Sequence, residues 1–317
     1  MNIDFEKEHL HVVLGGNGAV GSALINILKS NVVNLRTVEH SRKIDGVESV
    51  LADATNYEQL DNAVRGAEFI FMCIGLPYSA KVWERDWQKV VDNLIKICEK
   101  QKSKLVFLDN VYMYGPAPLK VPFDESHPQY PVSKKGKTRK LIADMLLDAH
   151  KSMRIKTVIC RSADFYGPKA KFSPFYIAFL ERMLANKAPQ WLGNPEARHT
   201  YAFTDDNAKA MIELAYNDDT YGETWHLPVS EPVNIEQVLA IFNNVLGTDY
   251  KLTVLPKFMI SLLSLFISPI REVKEMLYQF NHDYILSDNK FRTRFPDFKT
   301  TNYTDGIKIM IESFRKG

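Results

Sequence analysis

Through the first half of the chain, short runs of consecutive apolar residues alternate with segments in which apolar residues recur every three or four positions. The runs at residues 9–14, 32–38, 68–74, 104–108 and 155–160 have the length and continuous hydrophobicity of strands buried on both faces. The periodic segments at 19–28, 57–64, 82–99 and 133–149 predict helices. Strands separated by helices predict an α/β fold built on a parallel sheet with helices on both sides. After Gly167 the pattern loosens, and prolines from Pro168 to Pro269 punctuate shorter elements. The chain therefore reads as a main domain over 1–167 and a smaller lobe over most of 168–317. That lobe is discontinuous, because segments near 204–228 carry a helix and a strand that return to the main sheet.

Composition narrows the picture. At 317 residues, 45% hydrophobic and 25% charged, the chain is an ordinary folded protein too long for one compact core. Its formal charge of +2 comes without a basic block, which excludes the electrostatic footprint of a nucleic-acid binder. The most basic stretch, Lys134, Lys135, Lys137, Arg139 and Lys140, is expected to be a solvated helix face, apart from Lys134. Cys73, Cys98 and Cys160 stand far apart in apolar runs, as free thiols of a reducing, cytoplasmic compartment do, and they suggest neither a disulfide frame nor a metal site. The first eight residues lack the pattern of a signal peptide. Residues 258–267 are apolar, but Pro269 and Arg271 close the segment well short of the ~20 residues a membrane span needs. A helix buried in the smaller lobe is expected there, with no stable membrane insertion.

Between the first strand and the first helix stands Leu14-Gly15-Gly16-Asn17-Gly18-Ala19-Val20-Gly21. Glycine at 15, 18 and 21 permits a tight strand exit, close backbone approach to a pyrophosphate, and close packing of helix on sheet, while the helix N-terminus supplies an anion site. Gly15, Asn17, Gly18, Ala19, Val20 and Gly21 are thus the candidate dinucleotide turn. About 20 residues on, where such folds place an acid for the adenosine ribose, the second strand ends in Val38-Glu39-His40-Ser41-Arg42. Glu39 suits the free ribose of NAD and repels a 2′-phosphate; Arg42, with Ser41 and His40, suits the phosphate of NADP. Both cofactors stay open, with the balance toward NAD.

These residues resemble the extended short-chain dehydrogenase/reductase family, in its NAD-dependent epimerase/dehydratase-like branch. Further motifs follow in that family's order over nearly the whole chain. Asp53 and Ala54 match the third-strand motif that contacts adenine. Cys73, Ile74 and Gly75 stand where small residues line the cofactor, and the run from Phe107 to Gly115 resembles the fifth-strand motif. Tyr130 and Lys134 match the tyrosine-lysine pair. The run from Arg161 to Pro168, the segment opening at Arg198, and the segment from Gly222 to Pro228 resemble the later landmarks. The resemblance implies a Rossmann-type doubly wound parallel sheet with a smaller, discontinuous C-terminal α/β substrate lobe. Dimers through paired helices are common in the family, which points to 82–99 and 133–149 for a homodimer contact.

The resemblance also implies a chemistry. Residues four apart on a helix share a face, so Tyr130 and Lys134 would converge, although Pro131 sets Tyr130 at the helix edge. A tyrosine has a pKa of about 10, and an adjacent ammonium favours its phenolate. Tyr130 is then the acid/base at an alcohol or ketone carbon, and Lys134 supports it and holds the nicotinamide ribose. Two positions depart from the family pattern. Asn110 replaces a serine or threonine and can donate a hydrogen bond but not relay a proton; Asp109 beside it either contributes or caps the next segment. Asp164 replaces an asparagine near the substrate diphosphate, which a carboxylate would repel, whereas Arg198 still matches the arginine that binds it. Tyr166, Phe172, Phe175, Trp191 and Tyr201 lie in segments the family uses for the substrate wall, with core packing the alternative for most of them, and His199 and Trp83 read as packing. An NAD(P)-dependent oxidoreductase or epimerase acting on a small, sugar-like molecule is expected. Dehydration is disfavoured because Asn110-Val111 lacks an aspartate-glutamate pair. The alternative is an NAD(P)-binding redox sensor or scaffold with little turnover, motivated by Asn110 and Asp164 and opposed by the retained Tyr130 and Lys134.

Overall fold

The computed structural model describes residues 5, 8–31, 34–256 and 268–315. The expected apolar helix at 258–267 lies outside them. Strands β1 (Leu10–Leu14), β2 (Leu35–Glu39), β3 (Glu48–Leu51), β4 (Ala67–Met72), β5 (Lys104–Asp109) and β6 (Lys156–Arg161) form one sheet. Three two-residue strands, β7 (Phe165–Tyr166), β8 (Gln190–Trp191) and β9 (Ala202–Phe203), follow outside it, and β10 (Thr224–His226) then returns to its edge. The order is β10-β6-β5-β4-β1-β2-β3, and every pairing is parallel. The doubly wound α/β expectation holds.

Period-two alternation explains the continuous apolar runs. In β4, Ile70 and Met72 point to one face of the sheet, and Phe69 and Phe71 to the other. With both faces covered, neither set can be polar. Helices α2 (Tyr57–Ala63), α3 (Ala80–Gln101) and α4 (Lys134–Lys151) cover the first face; α1 (Ala19–Ser30) and α6 (Thr204–Ala215) cover the second. Helix α3 buries Trp83, Trp87, Val90, Val91, Leu94, Ile97 and Cys98, a stripe at helical spacing. Each such side chain contributes roughly 1.5–3 kcal/mol on burial, and α3 and α4 pack along each other over this stripe.

Helix α4 begins at Lys134 because the Ser133 hydroxyl accepts the Gly136 N–H at 2.9 Å, a side-chain N-cap. Gly136 passes so close to the Tyr112 carbonyl that no Cβ would fit, which presses the start of α4 onto the loop after β5.

The elements after β6 build a second core around Tyr166, Phe175, Phe179, Tyr201, Phe242 and Tyr303. Phe175 and Tyr201 have ring centroids 4.6 Å apart, and Phe179 stacks on Phe242 at 5.3 Å. Helix α7 (Ile235–Leu246), which follows the short α5 (Glu181–Leu184) and α6, packs against helix Tyr303–Arg315. It opens on a reciprocal Asn234–Gln237 capping box and ends at Gly247 in the left-handed region. Strand β11 (Thr253–Val254) pairs with β8. All three cysteines are free, and burial pushes the Cys98 thiol up to about 12. Among the described residues no helix is long and apolar enough to cross a membrane, and no group of three or more His, Cys, Asp or Glu is placed to hold a metal ion.

Candidate functional site

The strand order reverses between β1 and β4, and ligands of such sheets bind in the crevice outside the strand ends at that reversal. Gly15 stands there with φ +83°, a conformation that favours glycine. A Cβ on it would lie 2.9 Å from the carbonyl oxygen of Cys73 and from the Cα of Ile74, so the exits of β1 and β4 touch. The Gly18 N–H donates to the Gly15 carbonyl at 3.1 Å. Gly21 lies against that same carbonyl with no room for a Cβ. No side chain caps α1 at Gly18, so the first-turn N–H groups at Ala19, Val20 and Gly21 remain for an anion.

Glu39 turns back onto this loop. Its Oε1 accepts the Gly16 N–H at 2.6 Å, and its Oε2 accepts the Asn17 N–H at 3.1 Å and the Asn17 Nδ2–H at 2.9 Å. Asn17 also donates to the Arg42 carbonyl at 2.7 Å. Burial raises the Glu39 pKa, and the donors of Asn17 and Gly16 oppose that rise. A carboxylate has about four acceptor sites, so Glu39 keeps capacity for a ribose hydroxyl and opposes a phosphate there. Asp53 accepts from the Thr55 N–H and hydroxyl, both at 2.8 Å, which hold it below its usual range. Ala54 is buried and its carbonyl accepts from Asn93. Cys73 and Ile74 are half-buried, while Gly75 is exposed with open space beside it. The cradle and its free acceptor capacity fit a dinucleotide.

Beyond the turn, the ends of β4, β5 and β6 bring a second group together. The Tyr78 and Tyr112 hydroxyls are 3.5 Å apart. Trp83 stacks on Tyr112 with centroids 6.1 Å apart and meets Tyr78 edge-on at 5.8 Å. The Tyr278 hydroxyl donates to the Tyr112 carbonyl at 3.4 Å. Lys135, wholly buried, lies with Nζ 4.5 Å over the Tyr78 ring and pairs with Glu272 and, at 2.8 Å, with Glu275. Asp164 follows β6; its carbonyl accepts the Ala202 N–H at 3.0 Å, and its half-buried carboxyl has no hydrogen bond or ion pair among the described residues. Burial pushes it up to about 6. Its charge reaches Tyr78, Tyr112 and Tyr278, and with burial it raises their pKa values. These phenols stay protonated, and because Tyr78 donates to the Tyr112 hydroxyl and Tyr278 to the Tyr112 carbonyl, the Tyr112 proton is the one left to donate.

The family model for the NAD dependent epimerase/dehydratase family matches residues 11–227. The chain belongs to that family. No curated protein sequence matches the chain. UDP-glucuronic acid 4-epimerase from Bacillus cereus, solved with NAD, is similar in structure at a TM-score of 0.80 and 16% identity, covering 97% of this chain and 99% of that one. UDP-glucose 4-epimerase from Thermotoga maritima, solved with UDP-glucose, gives 0.79 and 19%, covering 97% and 99%. dTDP-glucose 4,6-dehydratase from Bacillus anthracis, in complex with NAD, gives 0.79 and 14%, covering 98% and 97%. At these identities the likeness shows the fold.

Against the pattern of this NAD-dependent epimerase/dehydratase family, several expected site residues are placed differently. Tyr130 lies four residues before α4 rather than on it, is 70% exposed, and makes no hydrogen bond to Lys134. Pro131 and the Ser133 cap hold it outside the helix. Lys134 is exposed, and its Nζ is 3.4 Å from Glu84. The solvated face expected of the basic stretch is also corrected, because Lys135 and Arg139 are buried. Asn110 accepts the Tyr112 N–H at 3.1 Å, so its amide shapes the turn, and its donor end has no partner among the described residues. Asp109 neither joins the cleft nor caps a segment: buried, it accepts from Arg139 at 2.7 Å and from Arg161 at 3.1 Å. Arg161 donates in turn to Tyr114, whose hydroxyl lies 2.8 Å from His226 Nε2.

The substrate candidates divide likewise. Tyr166 is 1% exposed and packs on Phe175 and Tyr303 within the second core, so it walls no cleft. Phe175, Trp191 and Tyr201 are buried in that same core, and Phe172 points to solvent. Arg198 is held by Asp283 through its backbone N–H at 2.9 Å and its guanidinium at 2.8 Å. His199 stacks between Phe280 and Tyr284, and burial lowers its pKa to about 4. Sequence reasoning missed Tyr78, Tyr112, Lys135, Glu272, Glu275 and Tyr278, and also Lys169, whose charge reaches Glu39. Helical phase could have found Lys135, since it stands seven residues before the buried Ile142 and four before Arg139. Concavities of about 280 and 380 Å³ open beside the far ends of α3 and α4, lined by Asp92, Met145 and Arg154 and by Cys98, Lys102 and His150. They hold none of the candidate site residues.

Proposed function

We propose that this chain is an NAD-dependent oxidoreductase or epimerase that transfers a hydride at an alcohol or ketone carbon of a small, sugar-like molecule. The observation that carries this reading is the glycine turn, with its Cβ-excluding contacts at Gly15 and Gly21 and the Glu39 carboxylate folded onto it. Gly15, Asn17, Gly18, Ala19, Val20 and Gly21 would hold the pyrophosphate, Glu39 the adenosine ribose, and Asp53 and Ala54 the adenine end. Cys73, Ile74 and Gly75 would line the nicotinamide side. The buried Glu39 favours NAD over NADP, whereas Arg42 supports the opposite choice. When bound, the cofactor accepts the hydride and can return it; the chain's own task is to hold the carbon in place and manage the hydroxyl proton.

The family motif assigns that proton to Tyr130, with Lys134 supporting it and Asn110 donating to the reacting oxygen. For Tyr130 to act, the loop before α4 must turn it from solvent into the cleft as substrate binds. A second reading is favoured by Asp164. It already stands among the tyrosines without a partner, and its elevated value of about 6 suits a group that exchanges protons near neutral pH.

The test begins with NAD binding by calorimetry, followed by turnover of alcohols and ketones read from the absorbance of reduced nicotinamide. Tyr130→Phe and Asp164→Asn are then compared on the first substrate turned over. Lost turnover with unchanged NAD affinity in one variant identifies the proton carrier. Absence of NAD binding by the wild-type protein would sink the proposal.

A further inference from the structure

The charges around the cleft bear on what it accepts. Asp164 presents a carboxylate that no cation neutralises among the described residues. Of the cations on the surrounding elements, Lys169 reaches toward Glu39 on the cofactor side, and others are committed. Lys135 is shared between Glu272 and Glu275, which outnumber it, and Lys134 lies against Glu84. Arg198, the arginine the sequence offers to a diphosphate, is occupied by Asp283 through both its guanidinium and its backbone N–H. Asp164 and Tyr112 each stand three residues past the register pair Arg161 and Asp109 at the ends of adjacent strands, and Tyr112 carries Tyr78 and Tyr278 on its polar atoms and the Trp83 ring on its face. A carboxylate acceptor, the Tyr112 hydroxyl as donor, phenol oxygens as acceptors, and aromatic faces form the partner set of an uncharged polyol. A diphosphate needs cationic or N–H donors and would be repelled by the unpaired carboxylate.

We infer that the cleft takes an uncharged, hydroxyl-bearing substrate and rejects a nucleoside diphosphate, with Asp164 as the determinant and Asp283 withholding Arg198. The inference rests on the reading of this cleft as the substrate site of an NAD-dependent enzyme. It separates the chain from the three solved enzymes above, which are named for UDP- or dTDP-sugars.

The test uses NAD-saturated protein titrated with UDP and with uridine, which differ only in the diphosphate. Wild type, Asp164→Asn, Asp283→Asn and the double variant are compared by calorimetry. Wild type is expected to bind UDP no more tightly than uridine. The double variant is expected to gain at least tenfold (about 1.4 kcal/mol) for UDP with no gain for uridine. Tight UDP binding by wild type, or a double variant with no selective gain, overturns the inference. The NAD titration that precedes each run reports separately on the cofactor site. Its failure in wild type would remove the underlying reading, whereas NAD binding with strong UDP affinity would remove only the substrate assignment.

Discussion

Replacing Asp164 with asparagine should stabilise this protein at neutral pH, by an amount that disappears in mild acid. The carboxyl is half-buried, has no partner among the described residues, and ionises at about 6 in the folded chain against 3.8 for an ordinary aspartate. That difference corresponds to at most about 3 kcal/mol, a cost carried by the native state whenever Asp164 is charged. The sign follows from proton binding: between roughly pH 4 and pH 6 the native protein holds a proton here that the unfolded chain has lost, so stability falls as pH rises through this window. Above it the penalty is complete. His199, lowered to about 4, and His226, lowered to about 3 by burial and by Arg161, act in the opposite direction, but both are common to the two proteins and cancel in the difference. Urea unfolding of wild type and Asp164→Asn from about pH 7.5 to about pH 4.5 measures it. The variant should be more stable by about 2–3 kcal/mol at the upper end, with the gap shrinking as pH falls and the denaturant slope unchanged. A gap that does not vary with pH, or a less stable variant at neutral pH, would refute the placement of a desolvated, unpaired carboxylate in the cleft.

Other substitutions probe the neighbouring parts. Lys135→Met keeps the stem but leaves Glu272 and Glu275 without their buried cation, and should cost about 3–5 kcal/mol. Lys134→Met removes only an exposed pair and should cost about 0–1 kcal/mol; urea midpoints that reverse this ranking would show that the wrong lysine has been placed inside. Gly21→Ala forces a Cβ into the Gly15 carbonyl and should cost about 1–3 kcal/mol and abolish NAD binding; calorimetry showing full affinity would contradict the role of the turn. Asp109→Asn strips the shared anion from Arg139 and Arg161 and should cost about 3–5 kcal/mol in urea unfolding.

The sheet and the glycine turn were legible because each rests on local rules: apolar runs for doubly covered strands, and glycines where a side chain cannot fit. The cleft was less so. Its members come from the loop after β4 (Tyr78), the loop after β5 (Tyr112), the start of α4 (Lys135), the end of β6 (Asp164) and the region of Glu272 and Tyr278. No spacing in sequence connects these. The matched motif selected Lys134, yet one residue of helical phase decides which lysine enters the protein, and the Ser133 cap sets that phase. Tyr166 and Tyr201 could be read as either substrate wall or core, because an aromatic of a second core and an aromatic of a substrate wall look alike until burial separates them. Asp109 shows the same limit for charge, since its two arginines lie 30 and 52 residues away.

Glu272 and Glu275 do more than neutralise Lys135. Glu272 accepts the N–H of Ala80, the first residue of α3, at 2.9 Å, and Glu275 accepts the N–H groups of Lys134 and Lys135, the first two residues of α4. Two carboxylates three residues apart thus serve as the N-terminal caps of two separate helices, favoured there by the helix dipoles. Helices α3 and α4 should then fray as one unit, and the amides of Ala80 and Lys134 should exchange with solvent through one shared opening, although 54 positions separate them in the chain.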